Sequence, residues 1–387
     1  MCSVPSRRAR PLAPLFPCPR PDATEGGPHA LDPHLAERLH LLAGLTFPDL
    51  ADPDAQARFA EFMRDPSEWT RPADVVVEDR EIPGPHGPVP VRSYVPGRPG
   101  SAAVLWAHGG GFLGGDLDMP EAHVVAAELA ARAGAVVVSV DYRLAVGGVR
   151  YPVPLDDVCA AWRWLRTELA PDADVVALGG ASAGAALALA TALRDRDEAL
   201  RPADLLLLAY PFAHFPVPAL DSATAAEMAA LPPTMRFTTR DIEFMVENYV
   251  GRLTDLPRDA LPGAAALRGL PPVHVLVCEY DDLRPSAELL VRQLTASEVE
   301  VRSSLAAGMP HGHLNRTPAL AEVGRSLDLF ADALRRRTPL AVRGGPCEGG
   351  PPRVREQRAA VCGPGPRTGR EGAGRDGLRW WGTVRDG

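Results

Sequence analysis

The chain of 387 residues contains no lysine: all 41 of its basic side chains are arginine, set against 49 acidic ones for a formal net charge of -8. Such a balance offers no basic face to a polyanion, so nucleic acid is not expected as a partner. Cysteine is also scarce. The six, at 2, 18, 159, 278, 347 and 362, include no C-x-x-C pair and no histidine-cysteine spacing of a tetrahedral zinc site. Neither a disulfide framework nor a bound metal is expected. Cys159 and Cys278 fall within apolar runs and read as inert buried thiols. No stretch approaches the roughly 20 apolar residues that span a bilayer. Prolines break the opening MCSVPSRRARPLAPLFPCPRP before a signal-peptide apolar core can form. The expectation is a cytoplasmic protein without a membrane span.

What is present is a chain 46% hydrophobic, long enough for one large core or two modest ones. Residues 1–28 are rich in proline and arginine without periodicity, and residues 339–387 hold 12 glycines and 9 arginines. Neither end can bury a core, so both are expected to be disordered, with the folded domain at 29–338. Between them two patterns alternate. VVVEDREI (75–82) and VPVRSYV (89–95) read as paired strands around PGPHG. AAVLWAH (102–108), AVVVSVDYRL, DVVALGG (174–180), DLLLLAYP (204–211), VHVLVCEYD (273–281) and VEVRSSLA (299–306) read as further strands. Helical spacing falls at 121–133, 155–169, 183–198, 286–296 and 319–337, while 212 to about 270 is irregular and broken by proline. Apolar strands alternating with amphipathic helices imply a mainly parallel sheet with helices on both faces. Ligands in such sheets bind at the carboxyl ends of the strands, which puts Gly109 to Gly111, Ser182 and Asp281 on one rim.

The segment LGGASAGAALALA (178–190) poses a question at that rim. Small residues gather at tight turns for steric reasons, so Ser182 is either a nucleophile or a filler. Gly180, Ser182 and Gly184 fit G-x-S-x-G where a strand turns into a helix, the geometry that presents a hydroxyl on a sharp elbow. A serine also needs a base, and the base an orienting acid. Downstream, YDDLRP and GMPHGHLNR supply them in the order acid, then histidine. The acid is Asp281 or Asp282, and the base His311 or His313. HGGGF (108–112) offers glycine amides that no side chain obstructs, as an oxyanion requires. His108 reads as a structural residue that holds this loop.

Taken together, HGGGF, DYRLA (141–145), GASAG (180–184), D-x-L-R (281–284) and H-G (311–312) resemble the hormone-sensitive-lipase-like carboxylesterases of the α/β-hydrolase fold, over about residues 70–337. The resemblance implies Ser182 as nucleophile, His311 as general base and then acid, and Asp281 as orienting carboxylate. It implies an oxyanion hole at the amides of Gly110, Gly111 and Ala183, a small helical cap from about 29–70 and 212–255, and no cofactor. Asp282 then reads as a surface or helix-capping residue. His313 reads as packing beneath the loop or fixing it by a hydrogen bond. The chain departs from the family with Ala181 before the nucleophile, Asp282 in place of proline, His313 in place of phenylalanine, and VGGVRYPVP after DYRLA.

The expected activity is hydrolysis of short to medium acyl esters through an acyl-enzyme. The same machinery would serve an amidase, a lactonase or a peptidase-like hydrolase, and the fold can also be reused as a non-catalytic binder of small molecules. The expected partner is a small acyl ester, and a homodimer is left open.

Overall fold

The computed structural model describes residues 29–337. The two terminal segments expected to be disordered lie outside these described residues. At the centre is an eight-stranded sheet in the order β1-β2-β4-β3-β5-β6-β7-β8. Its strands are β1 (Val75–Ile82), β2 (Val89–Pro96), β3 (Ala102–Ala107), β4 (Val136–Val140), β5 (Val175–Ala181), β6 (Leu205–Ala209), β7 (Val273–Tyr280) and β8 (Val301–Pro310). β2 pairs antiparallel with both of its neighbours, and every pairing from β4 to β8 is parallel. Strands β3, β5 and β6 are buried at every residue. That is why they lack polar alternation: helices cover both faces.

Helices α3 (Pro120–Ala133) and α9 (Ala321–Arg337) pack on one face. Helices α4 (Val153–Trp164), α5 (Ala183–Asp197) and α8 (Arg284–Ala296) cover the other. α3 ends where the sequence signals, at Gly134 with φ 64, a left-handed cap that glycine adopts without a Cβ penalty. The helix expected over 155–169 ends its α-form at Trp164, and 165–169 continues as one π turn.

β8 runs four residues beyond the expected end at Ala306. Gly308, at φ 69, lets it continue through an irregularity in its pairing with β7, where the Glu279 carboxylate accepts the Gly308 amide at 2.7 Å. A glycine in an apolar run reads as a stop in sequence, whereas here it marks a bulge that turns the chain toward the rim.

Two segments lie apart from the sheet layers. The first carries α1 (Pro33–Arg38) and α2 (Pro53–Met63), and the second carries α6 (Ser222–Ala229) and α7 (Thr239–Val250). Both contribute walls to a single cavity over the rim.

Candidate active site

Ser182 stands between β5 and α5 at φ 52 and ψ -115, a conformation that costs a non-glycine residue about 1–3 kcal/mol. The surroundings hold it there. Its amide donates to the Ala209 carbonyl at 2.9 Å, and its carbonyl accepts the amides of Phe212 and Ala186 at 3.2 Å each. The flanking glycines are steric necessities. A Cβ at Gly180 would strike the Gly184 backbone, and one at Gly184 would strike the carbonyls of Ala107 and His108. Close packing therefore explains the small residues around Ser182 but not its hydroxyl.

That hydroxyl faces His311, with Oγ 2.9 Å from Nε2. On the far side of the ring, Nδ1 lies 2.7 Å from Asp281 Oδ2, and Asp281 Oδ1 accepts the Leu283 amide at 2.7 Å. A carboxylate can only accept, so Nδ1 carries the proton and Nε2 is free to accept from serine. Phe237 and Tyr210 meet the imidazole edge to face, at 5.0 and 4.9 Å between centroids. Burial works against the imidazolium, but the charge and hydrogen bond of Asp281, with Glu121 and Asp282 behind them, outweigh it and raise the His311 pKa above its ordinary value.

The neighbours of the acid and the base go elsewhere. Asp282 is gripped by Arg236 at 2.8 and 2.9 Å and by the Phe237 amide at 2.8 Å. It is therefore neither a surface residue nor a helix cap, but a link between the end of β7 and the second wall segment. His313 is buried, with Nδ1 3.2 Å from Cys278 Sγ and Nε2 2.9 Å from Ser326 Oγ. Burial, with a smaller contribution from His311, lowers its pKa to about 3.

The glycine loop after β3 is fixed from below. Tyr142, from the DYRLA stretch, donates to the carbonyls of His108 and Gly109 at 2.9 and 3.1 Å and stacks on the His108 ring. His108 Nδ1 donates to the Gly109 carbonyl at 2.8 Å, and burial lowers the ring's pKa to about 4. Gly110 has φ 102 and Gly111 φ 61, and a Cβ at either would collide with Gly114 or Met245. Among the described residues, the amides of Gly110, Gly111 and Ala183 take no hydrogen bond. Ala183 also opens α5, where the helix dipole favours a negative charge.

Glu121, beneath the glycine loop, escapes sequence reading. In sequence it is an ordinary acid in the first turn of a helix. In the fold its carboxylate is buried and turned inward, accepting the Gly109 amide at 2.6 Å, the Tyr210 hydroxyl at 2.5 Å and the Asn315 amide at 3.3 Å. Burial raises its pKa, and the bonds from Tyr210 and Gly109 act in the opposite sense. Three converging donors suit an ionised acceptor.

Above the rim is a cavity of about 370 Å³ in which Ser182 and His311 face Phe59, Phe62, Met235 and Met245. Among the described residues no group of three His, Cys, Asp or Glu side chains is placed to hold a metal ion, and no helix is long and apolar enough to cross a membrane.

Comparison with known proteins agrees with this architecture. Residues 104–315 match a family of the α/β-hydrolase fold. The chain is similar to the carboxylesterase NlhH of Mycobacterium tuberculosis, 37% identical over 265 residues, covering 64% of this chain and 79% of that protein. It is similar to the esterase LipI of the same organism, 32% identical over 310 residues, 76% of this chain and 92% of that one. A solved esterase of Pyrobaculum calidifontis superimposes with a TM-score of 0.65 at 30% identity, covering 79% of this chain and 98% of that structure.

Proposed function

Because the chain belongs to the α/β-hydrolase fold family and is a carboxylic ester hydrolase, we propose that it cleaves short to medium acyl esters by two-step acyl transfer at Ser182. Its Oγ attacks the ester carbonyl carbon while His311 Nε2 takes the hydroxyl proton. Asp281 holds the imidazole in the required tautomer and stabilises the imidazolium. The carbonyl oxygen becomes an oxyanion, received by the amides of Gly110, Gly111 and Ala183. As the tetrahedral adduct collapses, the bond to the alkoxide breaks and His311 returns its proton to the departing alcohol. Water then attacks the acyl-enzyme, His311 takes a proton from it, and the acid leaves with Ser182 restored. No step calls on a cofactor.

The observation that carries this reading is the continuous chain from Asp281 through His311 to the Ser182 hydroxyl, beside three amides with no acceptor among the described residues. The cavity's volume, about 370 Å³, lies at the lower end of the roughly 300–1,000 Å³ usual for small-ligand pockets, which favours short to medium chains. The segments at about 29–70 and 212–255 act as the cap that shapes this acyl pocket.

The test is turnover of 4-nitrophenyl esters from acetate to palmitate beside matched amides and lactones, for the wild type and Ser182→Ala. We expect a maximum between butyrate and octanoate, and on the order of a millionfold loss in the variant. Variant activity within tenfold of wild type would sink the assignment of Ser182. Faster cleavage of amides or lactones than of esters would replace the substrate class.

A further inference from the structure

Arg316 is the one arginine in the cavity wall among the described residues, and its position in an otherwise largely apolar lining calls for a reason. It is 4% exposed. Its guanidinium lies 4.8 Å above the Phe62 ring. Nη1 reaches Asp65 Oδ1 only at 3.4 Å, while the other oxygen of Asp65 takes the Thr317 amide at 2.7 Å. Burial lowers the Arg316 pKa to about 10, which leaves it cationic at neutral pH.

A guanidinium carries five N–H donors in a fixed plane. Here the edge formed by Nε and Nη2 takes no hydrogen bond among the described residues, and it is not among the fully sealed polar atoms. An acyl chain filling the cavity would shut that edge off from water, and donors stranded in this way cost about 1–3 kcal/mol unless the chain brings an acceptor. The charge itself is already answered, because Asp65 is in contact and supports the cation more strongly than the nearby Arg38 opposes it. What the edge lacks is an acceptor atom rather than a second anion.

We propose that Arg316 selects acyl groups bearing a second, uncharged acceptor oxygen, a ketone or ester carbonyl beyond the scissile ester, which the Nε and Nη2 edge receives. This rests on the esterase reading of the same cavity. It adds a charged anchor to a pocket whose lining is otherwise largely apolar. Hydrogen-bonding sites discriminate far more sharply against analogues lacking the bonded group than apolar pockets do against a missing methylene.

The experiment compares three 4-nitrophenyl esters of matched chain length: hexanoate, the ester of monomethyl succinate, and hemiglutarate. We expect the wild type to favour the methyl succinate ester over hexanoate by about tenfold in kcat/KM, through KM, as one hydrogen bond to a charged donor allows. Arg316→Met should erase that preference, read as the ratio of kcat/KM for the two esters within the variant, so that any general loss from leaving Asp65 without its partner cancels. Arg316→Lys, which keeps the cation but loses the fork, should retain part of it. An equal preference in wild type and Arg316→Met, no preference in the wild type, or a preference for hemiglutarate over the neutral ester would each overturn the proposal. Failure to hydrolyse hexanoate as well would instead remove the esterase reading beneath it.

Discussion

Asp281 and Asp282 are adjacent in the chain and serve opposite parts of the molecule. The first holds the histidine of the rim, and the second grips Arg236 in the wall above it. The rim is made of strand ends and left-handed glycines, and its geometry is fixed by backbone contacts that admit few substitutions. The wall is made of short helices presenting Phe, Met and Leu, where many residues of similar volume would pack comparably. The difference teaches that reaction type and substrate choice are encoded by unlike physics. One depends on exact hydrogen-bond positions, the other on cavity shape and the rare polar group within it.

The strongest way to break this division is to remove the base. His311→Ala should cost several thousandfold in turnover, because Ser182 loses its only proton acceptor within reach among the described residues, while the wall and the fold are untouched. Steady-state kinetics with a chromogenic ester, beside circular dichroism to confirm folding, reads the outcome.

A middle-sized effect should come from beneath the rim. Glu121→Gln keeps the length of the side chain but places an amide NH₂ against hydrogen-bond donors, loosening the Gly109 end of the glycine loop. A kcat loss on the order of tenfold to a hundredfold is expected, with KM little changed, somewhat below the cost of deleting an oxyanion donor outright. The pH profile separates electrostatics from simple loosening. Catalysis needs neutral His311, so kcat/KM falls as pH drops through a pKa that Asp281, Glu121 and Asp282 hold above the histidine norm. Removing the Glu121 charge should move that acid limb to lower pH. An unchanged limb would mean that Glu121 only supports the loop.

The smallest effect on rate should come from His313→Phe, which lies outside the proton path and replaces one buried ring at the edge of the cavity with another of similar size. Activity is expected to stay within tenfold, with a stability loss of about 1–3 kcal/mol at pH 7.5 from stranding Ser326 and Cys278. The sign of its pH dependence is distinctive. His313 stays neutral in the fold down to about pH 3, whereas the unfolded chain protonates near 6.5. Wild-type stability therefore falls as pH drops below 6.5, by about 1.4 kcal/mol per unit for each such histidine. The variant lacks one of them, so the gap between the two proteins should narrow on acidification. Urea melts at pH 7.5 and 5 test this.

Legibility in the sequence follows the same division. β3, β5 and β6 are readable to within a residue or two because burial on both faces leaves uninterrupted apolar runs. The end of β8 is not, because pairing continues past a glycine that local rules treat as a terminator. The prolines scattered through 212–270 make that stretch read as irregular, yet α7 carries a full apolar period, Ile242, Met245, Val246 and Tyr249, between a Thr238–Asp241 capping box and a left-handed Gly251. Ser182, Asp281 and His311 announce themselves through glycine spacing and chain order. Glu121 and Arg316 do not. Their partners lie far away along the chain: Gly109, Tyr210 and Asn315 for the one, Phe62 and Asp65 for the other. Their burial is created only by the folded chain.

The measurement that bears most directly on the central claim is covalent labelling. The wild-type protein is incubated with a fluorophosphonate, its intact mass is read, and the adduct is mapped by peptide mass spectrometry. One phosphonyl group per chain is expected, on the peptide containing Ser182, and none in Ser182→Ala. An adduct on any other residue, or undiminished labelling of the alanine variant, would contradict it.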